Sequence, residues 1–148
     1  MNIKLLLLLG CSFIIGCVEQ QAEPYLSVTP FNFIHGPDKS VVISFGESPQ
    51  NYYSIAIKKL DVKEGTELYS ESKSNMNFAV FGDINEETLM SSENLPTYAR
   101  VKVISVDARA QKAVFEVEAT LLNLDTGELK KLDRVEVIVR GDDFLLLI

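Results

Sequence analysis

Ala113-Val-Phe-Glu-Val-Glu-Ala-Thr-Leu121 is the stretch that decides the fold. Ala113, Phe115, Val117, Ala119 and Leu121 fall on one side of an extended chain, and Glu116, Glu118 and Thr120 on the other. Apolar and polar residues alternating with a period of two mark a strand with one buried and one solvated face. Val135, Val137 and Val139 repeat the pattern against Arg134, Glu136 and Arg140. Between the two lies Asn123-Leu-Asp-Thr-Gly-Glu128, with the Asp and Gly that a tight hairpin requires.

Working outward, Arg100-Val-Lys-Val-Ile-Ser-Val106 changes phase, with Val101 and Val103 on one face and Ile104 and Val106 on the other. A β-bulge, or burial of both faces at that end, accounts for the change. Residues 98–147 therefore read as a meander of long antiparallel strands, closing through Gly141-Asp-Asp143 into a last strand, Phe144-Leu-Leu-Leu-Ile148. Five consecutive apolar residues imply cover on both faces, each full burial being worth about 1.5–3 kcal/mol. The alternative is an exposed edge that adds to a partner's sheet. Upstream, Val41-Val-Ile-Ser-Phe45, Tyr53-Ser-Ile-Ala-Ile57 and Asn77-Phe-Ala-Val-Phe81 are further strands. Asn85-Glu-Glu-Thr-Leu-Met90 suits one or two helical turns, with Asn85 as N-cap. Lys58 to Pro96 is the least regular stretch, and the place where a loop-borne functional surface is first sought.

These elements give an all-β, antiparallel β-sandwich with a partly open β-barrel as the alternative. Tyr25-Leu-Ser-Val-Thr-Pro30 resembles the first strand of immunoglobulin-like sandwiches. The cysteine pair and core tryptophan of true immunoglobulin domains are absent. Residues 25–148 are expected to form a single β domain.

The N-terminus carries the clearest statement about location. Lys4 precedes an uncharged apolar stretch, Leu5 to Val18, which ends in Ile14-Ile-Gly-Cys17. It is shorter than the ~20 apolar residues of a spanning helix and has the length of a secretory leader's hydrophobic region. Ile14-Ile-Gly-Cys17 resembles the lipobox of bacterial lipoproteins. The resemblance implies a signal peptide over residues 1–16, lipid (such as palmitate) on Cys17, and a tether over residues 17–24. Leu8-Leu-Gly-Cys11 is lipobox-like as well, but leaves too little apolar chain ahead of it. The seven residues from Val18 to Pro24 reach about 25 Å when extended, which keeps the domain near its membrane. Val18, rather than aspartate, follows the expected lipid site; in double-membrane bacteria that resembles lipoproteins sorted to the periplasmic face of the outer membrane.

Composition narrows the rest. The formal net charge is −7, and removing Lys4 with the leader makes the mature chain more acidic. A nucleic-acid binder needs a basic stripe, so that class is disfavoured. Acidic charge gives no attraction to anionic lipid either, leaving the acyl chains on Cys17 as the membrane contact. The two cysteines are Cys11 and Cys17, so the mature domain is expected to have no disulfide and no thiolate metal site.

Short motifs are weighed against plain structural roles. Asp125-Thr126-Gly127 resembles the active-site triplet of aspartic proteases, but Glu128 stands where that family has a small residue, and the setting reads as a hairpin turn. Arg140-Gly141-Asp142 spells an integrin-recognition tripeptide at what reads as a strand junction. His35 is the single histidine, in a Gly-Pro turn, and cannot alone build a multi-histidine metal site. Glu86/Glu87 and Asp142/Asp143 could ligate a hard cation in loops, with solvated carboxylates as the default. No catalytic constellation, metal site or cofactor motif stands out. The functional expectation is a non-enzymatic binding or scaffold module with a protein partner in a bacterial cell-envelope assembly. The alternative is a small-ligand-binding lipoprotein or small envelope hydrolase.

Overall fold

The computed structural model describes residues 24–32, 39–71 and 78–148. Its strands are β1 (Tyr25–Asn32), β2 (Lys39–Ser48), β3 (Asn51–Lys58), β4 (Glu67–Glu71), β5 (Phe78–Ile84), β6 (Glu87–Met90), β7 (Tyr98–Asp107), β8 (Lys112–Asn123) and β9 (Leu129–Arg140). A 3-10 turn occupies Lys59–Asp61, and one α-helix, α1, runs from Gly141 to Leu147. The class is all-β, as the alternation implies. The nine strands of the described residues join in one open sheet, ordered β1-β2-β3-β5-β6-β8-β7-β4 with β9 paired to β8. Two separately hydrogen-bonded layers are not established by this pairing. No helix among the described residues is long and apolar enough to cross a membrane.

The meander appears as expected. β8 is buried at Ala113, Phe115, Val117, Ala119 and Leu121, facing β7 on one edge and β9 on the other. The phase change in β7 is a bulge: Val103 pairs with Phe115 and Ser105 with Val114, leaving Ile104 as the extra residue. β9 carries a second bulge. Val117 pairs with Val135 but Ala119 with Leu132, so Asp133 and Arg134 together oppose Glu118. The additional residue lets Leu132 face the core in one phase and Val137 and Val139 in the other.

Two expectations are corrected. Phe144 to Leu147 lies in α1, not a strand. An unbroken apolar run carries no phase with which to separate strand from helix. Here Gly141 at φ +58° ends β9, and Asp142 and Asp143 sit in the first helical turn, where the helix dipole favours acids. Phe144 and Leu147, three apart, are buried, while Leu145 and Leu146 are exposed. Asn85 to Met90 is not helical either. Asn85 and Glu86 have φ +54° and +68° and form the two-residue turn that pairs Ile84 with Glu87. Positive φ at both central residues is the turn whose twist suits a hairpin, and asparagine tolerates it well.

The sheet wraps one core. Val41, Ile43, Ile55, Ile57, Phe78 and Val80 from β2, β3 and β5 pack in the same cluster as Val101, Val103, Phe115, Val117, Val137 and Val139 from β7, β8 and β9. The two groups of strands meet at a narrow seam. β6 pairs with β8 only through Leu89–Asn123 and Met90–Leu122. β7 and β9 both pair along the body of β8, and β7 stops at Thr120, so β6 and β7 share one edge of β8 end to end.

Asn123 holds that seam. It is fully buried, and its Oδ1 accepts from the N–H groups of Asp125 (2.9 Å) and Thr126 (3.1 Å). Its Nδ2 donates to Glu87 Oε2 at 2.6 Å. Around it, Leu124 N–H donates to the Thr88 carbonyl (2.9 Å) and Thr88 N–H to Asp125 Oδ2 (3.0 Å). One side chain thus shapes the β8–β9 turn and pins it to β6. Asn123→Ala is expected to lower stability by roughly 1–3 kcal/mol, because the turn amides of Asp125 and Thr126 lose their acceptor and Glu87 its partner. Urea unfolding checks this. A fall in midpoint at constant slope is expected, and a loss below about 0.5 kcal/mol would contradict the role given to Asn123.

Candidate functional site

The strand pairing leaves a gap, and the gap is where the candidate site lies. Every ladder is antiparallel, so direction alternates along β1-β2-β3-β5-β6-β8-β9. β1 and β9 therefore run the same way at its two ends, and no ladder joins them. α1 packs against both, its Phe144 and Leu147 entering the core. Val28 N–H, at the outer edge of β1, donates to Asp143 Oδ1 at 3.3 Å. Backbone groups alternate in direction along an antiparallel strand, so Leu26 and Pro30 address the same edge as Val28. Pro30 has no N–H to offer. The upper part of this edge is thus sealed by a proline and a helix carboxylate, as exposed edges commonly are.

Beside Leu26 the seal stops. A cavity of about 330 Å³ opens between the start of β1 and the middle of β9, lined by Pro24, Tyr25, Leu26, Phe45, Gly46, Glu136, Val137 and Ile138. It is apolar apart from Glu136. Gly46 is required beside it, since a Cβ there would collide with the Asn51 carbonyl oxygen and lie 2.6 Å from Tyr52 Cα. Tyr25 stands edge-on to Tyr52 with ring centroids 5.9 Å apart, and Phe45 stacks on Tyr53 at 6.2 Å. Periodicity alone did not reveal this pocket. Gly46 marks the close approach of β2 to β3 at their bulge rather than the gap itself.

The residues singled out in the sequence are dispersed. Cys17, Cys11 and His35 lie outside the described residues. Asp125-Thr126-Gly127 is the β8–β9 turn, with Gly127 at φ +75° and Asp125 holding Thr88 N–H. Arg140-Gly141-Asp142 is the junction of β9 with α1. Glu86 sits in the β5–β6 turn, Glu87 binds Asn123, and Asp143 caps Val28, so these carboxylates are not gathered into one cluster. No group of three or more candidate metal ligands occurs among the described residues. The Lys58–Pro96 region holds β4, β5 and β6 rather than one long loop, with residues 72–77 outside the description.

Charge is partitioned over the surface. The outer face of β4-β7-β8-β9 carries Arg100 bound to Glu67 (2.9 Å) and Glu118 (3.3 Å), and Arg134 at 3.6 Å from both Glu116 and Glu118. Hydrogen bonding to Arg100 holds the Glu67 carboxyl below its ordinary range. The outer face of β2-β3-β5 is nearly uncharged, with Ser44 and Ser54 hydroxyls 2.8 Å apart. Comparison with protein families, curated proteins and solved structures yields no match.

Near the cavity mouth, Tyr52 Oη donates to Asp83 Oδ2 at 2.9 Å, which raises the phenol's pKa above the ordinary 10.0. Burial raises that of Tyr53. A folded-state pKa above the unfolded value means stability is complete below pH 10.0 and falls as pH climbs through the raised values. In an alkaline titration followed by phenolate absorbance, Tyr52→Phe is expected to remove a step above pH 10.0 and to make the alkaline loss of stability shallower. A Tyr52 step at or below the ordinary value would contradict the hydrogen-bond geometry.

Proposed function

We propose that this protein is a membrane-anchored lipoprotein whose β domain serves as a non-enzymatic binding or scaffold module in a bacterial cell-envelope assembly. The observation that carries the proposal is the leader ending in Ile14-Ile-Gly-Cys17, followed after a seven-residue tether by the first strand at Tyr25. With lipid on Cys17, the bilayer lies within about 25 Å of the sheet end that carries Tyr25. That end also carries the β2–β3 and β5–β6 turns, because Tyr25 pairs with Gly46 and Asn51 with Ile84. The cavity between β1 and β9 is lined by Pro24 and Tyr25, where the tether would join the domain, which supports a receptive surface on the membrane side. Val18 after the lipid site supports residence on the periplasmic face of the outer membrane.

A second reading, a small-ligand-binding lipoprotein, draws on the same cavity, since its volume and apolar lining are those of a modest ligand site. Crosslinked co-purification from native membranes, comparing wild type with Cys17→Ala, separates the possibilities. A membrane partner captured by the wild type and lost in Cys17→Ala is expected. Unchanged membrane association of Cys17→Ala contradicts lipid anchoring. A wild type that fractionates with membranes yet captures no protein contradicts the scaffold reading in favour of the small ligand.

A further inference from the structure

We infer that the open part of the β1/β9 gap is a receiving slot for one extended peptide segment of a partner protein, carrying an apolar side chain beside a lysine or arginine. The inference rests on the scaffold reading and names the kind of partner that reading requires.

Direction is the first argument. β1 and β9 run the same way, so the strand missing between them is one that runs antiparallel to both. A single added segment of that direction continues the antiparallel alternation on each side. α1 fills the part of the gap beside Val28, and the cavity is the part it leaves. Leu26, at the cavity wall, directs its N–H and carbonyl to this open edge, where a peptide backbone satisfies them and a hydrocarbon chain does not. About 330 Å³ of apolar space beneath Phe45, Val137 and Ile138 accepts one large side chain from such a segment.

Charge is the second argument. Glu136 is the one ionisable carboxylate lining the cavity. Across the β8–β9 ladder it faces Glu116, a like charge, and Arg134 is engaged with Glu116 and Glu118. Glu136 has no ion pair among the described residues. A cation on the entering segment relieves both the unpaired carboxylate and the cross-strand repulsion. The protein's own tether does not meet this requirement: residues 18–23 carry Glu19 and Glu23 and no basic residue. The occupant inferred is therefore a segment of a partner rather than the tether.

The test uses the full-length lipidated protein, extracted from membranes into detergent and panned against a display library of random nonapeptides. Ile138→Asp, which places a charge in the slot wall, serves for counter-selection. Recovered peptides are expected to alternate apolar residues with lysine or arginine and to slow hydrogen exchange at the Leu26 amide. Their affinity is expected to fall at least roughly tenfold on Glu136→Lys, a surface reversal that turns the Glu116 pairing attractive and so leaves the fold intact. Peptides that bind Glu136→Lys as tightly as wild type, or no enrichment over Ile138→Asp, overturn the proposal. Palmitate that occupies the cavity and displaces the peptides without protecting the Leu26 amide overturns it in favour of an acyl chain. The scaffold reading is judged separately: a membrane partner crosslinked equally to wild type and Glu136→Lys leaves that reading standing and rules out this slot as its contact.

Discussion

The buried amide of Asn123 is the interaction on which the architecture turns. Among the described residues, strand pairing joins β1, β2, β3 and β5 to the long β7-β8-β9 meander only through the short β6, which contributes two residue pairs to β8. So short a ladder cannot by itself fix the angle between two groups of strands. Asn123 supplies the missing constraint, taking its own turn's amides on Oδ1 and giving Nδ2 to Glu87 on β6. Both the oxygen and the nitrogen of that side chain have partners, as a buried polar group needs if it is to specify a structure rather than weaken it. With the seam fixed, the hydrophobic faces on both sides meet in one core and the sheet curls round it.

A sheet curled from such a seam has to end somewhere, and here two of its end strands, β1 and β9, run in the same direction. Direct antiparallel closure between β1 and β9 is therefore unavailable. The chain instead turns at Gly141 into α1, whose Phe144 and Leu147 complete the core while Asp143 takes the Val28 amide. Pro30 further along the same edge removes another donor. What remains unsealed is the short length at Leu26, facing Glu136 to Ile138 across an apolar cavity. Pro24 and Tyr25 line that cavity, so the least finished part of the sheet lies where the described chain begins.

The sequence was most readable where apolar and charged residues alternate without interruption. Glu116 and Glu118 between Phe115, Val117 and Ala119 left no freedom in phase, so β8 and its hairpin with β9 were plain, and the step from Val103 to Ile104 foretold the bulge. The bulge at Asp133–Arg134 was marked in the same way, since Leu132 and Val135 break the period, yet the valines that follow hide it. Phe144-Leu-Leu-Leu had no polar residue to set a phase, and its helix was announced only by Gly141 and two aspartates. Asn85 serves equally as an N-cap and as the first residue of a hairpin turn, and four residues of β6 were too few to decide between them. The β1/β9 gap depends on how distant strands are ordered, which local patterning does not encode.

A helix, not a strand, closes the outer edge of β1, and Asp143 holds the Val28 amide there. The most direct measurement is residue-resolved amide hydrogen exchange in the wild type and in Asp143→Ala. The expected result is helical protection across residues 144–147, with exchange at Val28 rising roughly tenfold in the variant while Ile43 and Ile55 are unchanged. Equal protection of Val28 in both proteins, or strand-type pairing of the 144–147 segment, would contradict it.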